Sequence, residues 1–434
     1  MAPEVIGGIA IAILVALIIL RMWVGVAMGL VGFFGLIVLR GQSQAFSMVG
    51  DVPFHNINSY TLTVIPMFVL LGMVISESKL GVSLFHACNA WFGRIRGGLS
   101  IATIVASALF GAICGSHMVG TVVMSKIALP EMKRYKYEES FAAATVCAGA
   151  PLSIIIPPSL PLIMYGILTE QSVGKLFMTG IIPGVAMVIV FAIIIIAMCT
   201  RNPGIGPKGN VFSMREKLVA AKGVIPVVIL FVIVLGGIYK GVFTTTESGA
   251  IGSFGAIVIA LCYKTLSGKK FMTAMKETAM TIGMIFSLLL GTYIFIRFIS
   301  YSKIPFAISG FLVGLDVSRP VLMLVLALMY ILLGMIMPEI PMMLLTVPIL
   351  YPALMAIGFD PMWLGIYIVL MMALGSVTPP IGMVVFIVSG LSGVSVPRLF
   401  KAVVPFIVGD LIVIVLLCVF PVMATLIPSM MTVG

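Results

Sequence analysis

Two proline pairs, Pro157-Pro158 and Pro379-Pro380, sit inside long apolar runs. A proline in a helix interior removes a backbone donor and clashes with the preceding turn, so a tandem pair breaks the helix rather than bending it. Each pair is flanked by small or hydroxyl residues: Gly149, Ser153 and Ser159 around the first, Gly375, Ser376, Thr378 and Gly382 around the second. Such a break frees carbonyls and exposes half-helix ends, which together can hold a cation and an anionic group. Upstream of each pair lies a short polar interruption, Cys114-Gly115-Ser116-His117 before the first and Met337-Pro338-Glu339 before the second. Ionisable residues at membrane depth mark functional positions by default, which makes His117 and Glu339 candidate contacts to a transported molecule.

The elements that hold these residues follow from composition. Of 434 residues 61% are hydrophobic and 9% charged, with a mean hydropathy of +1.27. Soluble domains carry about 25% charged residues, so water is not the main solvent. Apolar stretches long enough to cross a bilayer recur along the chain, and their continuity excludes the alternating pattern of a β-barrel. The reading is an all-α polytopic membrane protein, a single membrane domain over 1–434. The net charge of +11 comes from short Lys/Arg clusters between apolar runs, a positive-inside signature rather than a nucleic-acid surface. Six scattered cysteines suit free, packed thiols, and the first apolar run reads as a retained helix.

Loop charges set the topology. Basic segments 201–222 and 264–276 are cytoplasmic, and so is Lys133-Arg134-Tyr135-Lys136. Arg94 and Arg96 read the same way. Residues 97–132 therefore begin and end on one side, with a turn at Gly115-Ser116, which defines a re-entrant hairpin. Such backbone is tolerated at that depth only when buried in protein or lining a cavity. The same grammar returns in 320–357, around Gly334 to Pro341, followed by a second broken helix. The flanks of that hairpin, Asp316, Arg319 and Asp360, are poor in Lys and Arg, so it enters from the opposite face. Two hairpin-plus-broken-helix units of opposite orientation are the inverted repeat of secondary transporters. The resulting layout is 1–96 as N-terminal scaffold helices, 97–132 as hairpin 1, 138–166 as broken helix 1 and 177–300 as scaffold and connecting helices. Hairpin 2 covers 320–357, broken helix 2 covers 362–391, and a last helix covers 402–427.

Over nearly its whole length the chain resembles the large permease (M) subunit of tripartite ATP-independent periplasmic (TRAP) transporters. Ile65 to Gly72, Phe110 to Ser116, Ala128 to Lys133, Ile156 to Ser159 with Tyr165-Gly166, and Gly174 to Phe177 carry the resemblance. So do Gly180 to Gly184, Thr246 to Ser248, Leu345 to Pro348 and Thr378 to Gly382. The resemblance implies an elevator, with a transport domain sliding on a scaffold, in the bacterial inner membrane. It also implies Na⁺ as coupling ion with no other cofactor, a small four-helix membrane subunit, and a periplasmic binding protein that delivers a small organic acid. Dicarboxylates, sialic acid and sugar acids are the substrate types it suggests. The hairpin tips depart from the family pattern: His117, Met118, Val119 and Gly120 follow Ser116 where a second Ser and small residues are usual. Pro338 stands where an Asp is common.

On this basis Gly115, Ser116, Ser153 and Pro157 form one expected Na⁺ site. Gly334, Gly375, Thr378 and Pro379 form its pseudosymmetric partner. Ser116, His117, Ser159 and Glu339 are the expected substrate contacts. Glu247 and Arg297 are expected to pair, Asp410 to face another helix or the partner subunit, and Lys126 to snorkel. An enzyme would need paired carboxylates or a metal motif within the membrane, and the sequence offers none. The competing transporter reading is a stand-alone Na⁺- or H⁺-coupled carboxylate symporter of related architecture.

Overall fold

Glycine, proline and short polar turns cut the apolar sequence into helices. The computed structural model describes residues 2–78, 80–209, 212–314 and 318–431. Five helices precede the first hairpin: α1 (Pro3–Ile19), α2 (Val24–Arg40), α3 (Gln42–Ile57), α4 (Val64–Glu77) and α5 (Leu80–Phe92). The hairpin is α6 (Gly98–Cys114) and α7 (His117–Arg134), and broken helix 1 is α8 (Glu139–Gly149), α9 (Leu152–Ile155) and α10 (Leu160–Thr169). Connecting helices follow as α11 (Val173–Thr179), α12 (Ile181–Arg201), α13 (Met214–Lys222), α14 (Ile225–Tyr239), α15 (Thr245–Cys262), α16 (Gly268–Ser302) and α17 (Ile304–Gly314). Hairpin 2 is α18 (Arg319–Ile336) and α19 (Glu339–Ala356), and broken helix 2 is α20 (Pro361–Val377) and α21 (Met383–Ser392). The described chain closes with α22 (Val396–Val419) and α23 (Val422–Ser429). Among the described residues eight helices are long and apolar enough to cross a membrane, or nine if the bent pair α13–α14 counts as one.

Both hairpins return to the side they start from. Gly97 N–H donates to Gly206 O, Gly209 N–H to Gly93 O and Glu138 N–H to Ile205 O. These bonds gather the Arg94/Arg96 loop, the end of α7 and the loop after α12 at one end of the molecule. At hairpin 2 the Arg319 guanidinium donates to Ile357 O, joining the two feet. Asp316, read as a flank of this hairpin, lies outside the described residues.

The repeat is visible in the packing. The first half of each broken helix lies on its own hairpin's outgoing arm, α8 and α9 on α6, α20 on α18. The second half lies on the other repeat's returning arm, α10 on α19 and α21 on α7. Small residues make these approaches possible. A Cβ on Gly111 would collide with Ser153, and one on Gly375 would sit 2.8 Å from Ile331 O and 2.9 Å from Gly334 Cα. Outside the repeats α2 runs parallel to α16, with Gly25 against Leu288, Gly32 against Phe295 and Gly35 against Phe298. The α4 backbone takes a hydrogen bond from α15, Ser253 Oγ to Met67 O at 2.7 Å.

Several expectations are corrected. The run expected at 402–427 is interrupted at Phe420-Pro421. The helices α3, α5, α13 and α17 were not separately expected, since each is short or polar compared with a crossing. Glu247 and Arg297 do not pair. Glu247 closes a capping box with Thr244, while the Arg297 guanidinium lies 5.9 Å from the Tyr301 ring centre. Asp410 is 2% exposed, and its Oδ1 has no hydrogen-bond partner.

Candidate substrate and ion site at the hairpin tips

The tips are built by helix termini. α6 ends on Gly115, whose φ of +64° is a left-handed conformation that glycine adopts without a steric penalty. Ser116 then turns the chain in an extended conformation, and α7 starts at His117. In hairpin 2 the extended residues Met337 and Pro338 make the turn, and α19 starts at Glu339. Each tip therefore presents the N-terminus of its returning helix, with unpaired N–H groups and the positive end of the helix dipole.

The first tip rests on the first break. A Cβ on Gly115 would lie 3.2 Å from Pro158 O. Since α8 to α10 form one apolar span of 31 residues, Glu139–Thr169, interrupted within its length, the tip lies inside the membrane thickness and not at its surface. Ser153 is wedged between the arms of hairpin 1, its Oγ 2.9 Å from the Cβ position of Gly120. Gly115, Ser116, Ser153 and Pro157 are thus gathered around one break. Gly334 and Gly375 touch backbone to backbone one turn before the second break, where Thr378 Oγ1 donates to Leu374 O at 2.6 Å and keeps its lone pairs. The two breaks differ in cover. Pro157, Pro158 and Ser159 are buried, whereas Pro379, Pro380 and Ile381 are exposed. Both Pro-Pro bonds are cis.

Ser159 stands apart from the expected substrate contacts. It is fully buried, donates to Ile154 O and accepts from Leu162 N–H, so its hydroxyl caps α10. Its place in the structure is a cap under the break, away from the cavity wall. Ser116 makes no capping bond and lines the cavity at the tips.

The two tips meet. His117 Nδ1 lies 3.3 Å from Glu339 Oε2, with His117 2% and Glu339 8% exposed. The separation is that of an ion pair, but the angle is not that of a hydrogen bond, so both ring nitrogens and Oε2 stay without one. His117 is held by its own turn, where Thr121 Oγ1 donates to the His117 carbonyl at 2.6 Å. Across hairpin 2 the Tyr330 and Thr346 hydroxyls bond at 2.9 Å and tie its arms together. Beside the pair is a cavity of about 560 Å³, within the range of small-molecule sites. Ser116 and Met118 from tip 1, Pro338 and Glu339 from tip 2, Arg21 from the α1–α2 turn and Thr281 from α16 contribute to its wall. In the sequence Arg21 is a single charge between two apolar runs. Its role as cavity wall depends on the distant pairing of α2 with α16, which no local pattern announces.

Inverted hairpins that end on broken helices around one shared cavity define a membrane transporter of the inverted-repeat class. The model of the tripartite ATP-independent periplasmic transporter, DctM component, matches residues 11–423, and the chain belongs to this family of large permease subunits. It is accordingly a multi-pass protein of the bacterial inner membrane. It is 31% identical over 379 residues to a C4-dicarboxylate TRAP transporter large permease protein of Pseudomonas aeruginosa, covering 87% of this chain and 88% of that one. It is 29% identical to a sialic acid TRAP transporter large permease protein of Vibrio cholerae, over 90% and 91% of the two chains. An ectoine TRAP transporter large permease protein of Halomonas elongata is 29% identical, again over 90% and 91%. Among solved structures, the Alcanivorax borkumensis YdaH transporter shares the fold, with a TM-score of 0.66 at 15% identity, over 88% of this chain and 89% of that one.

Proposed function

We propose that this chain moves a small organic acid into the cell, driven by Na⁺, by sliding the two hairpins and broken helices as one body against the remaining helices. The observation that carries the reading is the meeting of two oppositely oriented hairpin tips at one cavity, each followed by a broken helix. Na⁺ wants oxygen ligands, and the carbonyls and hydroxyls at the two breaks supply them: Gly115, Ser116, Ser153 and Pro157 at one, Gly334, Gly375, Thr378 and Pro379 at the other. The helix N-termini at the tips suit a carboxylate. A small four-helix membrane subunit and a periplasmic binding protein complete the system, as membership of the family implies. The names of the relatives, a C4-dicarboxylate, a sialic acid and an ectoine permease, support a small organic acid as cargo.

The test is uptake into proteoliposomes that hold this chain with its small partner, supplied with the binding protein and a panel of organic acids. Uptake that needs an inward Na⁺ gradient and both partners supports the proposal. Uptake at an equal rate without Na⁺ rejects the coupling, and uptake by this chain alone favours a stand-alone symporter.

A further inference from the structure

The charges around the cavity point beyond an organic acid in general. Its wall holds one basic and one acidic side chain among the described residues, Arg21 and Glu339, in an otherwise mostly apolar lining. Glu339 is nine-tenths buried, and its Oε2 has no hydrogen-bond partner. His117 packs directly behind it, Nδ1 3.3 Å from Oε2, and does not itself line the cavity. The N-termini of α7 and α19 open on the same space, where free N–H groups and aligned dipoles favour an anion. The cavity thus offers both signs of charge: donors and a guanidinium for a carboxylate, and one carboxylate that must repel a second.

Resting on the transport reading above, we propose that the cavity selects a small acid that also carries a cationic nitrogen. Its N–H group faces Glu339, and its carboxylate faces Arg21 and the helix N-termini. A dicarboxylate of the same length would bring one of its two anions against Glu339 in a mostly apolar cavity, where like charges repel more strongly than in water. Glu339 is then the specificity-determining residue, and His117 is a positioning residue that keeps it aimed.

The experiment uses the purified complex of this chain and its small partner, in Na⁺, without the binding protein, so that the permease alone does the choosing. Ligand-induced thermal stabilisation is titrated with two pairs matched in length: 3-aminopropanoate against succinate, and 4-aminobutyrate against glutarate. The amino acid of each pair should bind more tightly. Glu339→Gln, nearly isosteric, should weaken the amino acids by about tenfold or more, the cost of losing a charge-assisted hydrogen bond, and leave or improve the diacids. Arg21→Gln should weaken all four, because each has a carboxylate. His117→Asn should reduce the preference in the same direction as Glu339→Gln. Equal or tighter binding of the diacids to the wild type overturns the proposal. So does an unchanged preference in Glu339→Gln, or failure of both amino acids to bind. Diacid selectivity together with Na⁺-driven uptake would leave the transport reading standing, whereas uptake that ignores Na⁺ would remove the coupling whichever pair binds.

Discussion

Removing either half of the His117–Glu339 pair should cost more than removing both. The His117 ring and the Glu339 carboxylate are buried against each other at 3.3 Å. Breaking a buried pair by removing one partner typically costs about 3–5 kcal/mol, because the remaining group is stranded, while replacing both with apolar groups is often near neutral. Misalignment of the contact places this pair at the lower end. His117→Leu and Glu339→Leu should each therefore lose about 3 kcal/mol, and the double variant should lose less than either, recovering more than about 3 kcal/mol of the summed loss. The assay is equilibrium unfolding in mixed micelles at neutral pH for the four members of the cycle. Costs that add to within about 0.5 kcal/mol, the range for independent sites, would refute the coupling of the two tips.

Other regions give separate predictions. Gly375→Ala places a Cβ against backbone atoms of α18, so it should destabilise by about 1–3 kcal/mol. Gly283→Ala, with nothing within 4 Å, should be neutral or stabilising, and unfolding curves for the two variants compare them directly. Ser116→Ala and Thr378→Ala should raise the Na⁺ concentration needed for half-maximal uptake; unchanged sodium dependence in both would remove the ion-site assignment. At the end of the molecule that holds the Arg94/Arg96 loop, burial of Glu138 opposes ionisation, but hydrogen bonds from Ser140, Phe141 N–H and Arg398 outweigh it and lower its pKa from the ordinary 4.5. Its contribution is therefore present above pH 4.5 and lost as pH falls through the lowered value. Wild type should lose stability on acidification in that window relative to Glu138→Gln, and parallel pH–stability curves would show that the contact between α8 and α22 contributes nothing.

The architecture was legible because the bilayer restricts the choices. Continuous apolar runs fix helices, Lys/Arg clusters fix sides, and Gly97 to Glu131 had two cytoplasmic flanks with room for one turn. The tandem prolines and the motif around each tip then exposed the repeat. Local sequence could not reveal which distant residues complete the site. Arg21 reaches the cavity only through the glycine seam of α2 on α16, and Ser159 turned out to cap α10 because the chain needed an acceptor for Leu162 N–H beside the break. Glu247 resembled an ion-pair partner for Arg297, yet Thr244 three residues earlier made a capping box the nearer solution. His117 and Glu339 were each visible as oddities. Their contact was not, because 222 positions of numbering separate them and only the crossing of the two repeats joins them.

The central claim is that cargo passes through the cavity between the tips. In a variant lacking the six native cysteines, Met118→Cys places one thiol in that wall. The measurement is Na⁺-driven uptake by the reconstituted complex before and after reaction with a small thiol reagent, with and without transported substrate present during labelling. Labelling should abolish uptake, and substrate should slow the labelling. A fully labelled protein that transports at the unlabelled rate would contradict the account.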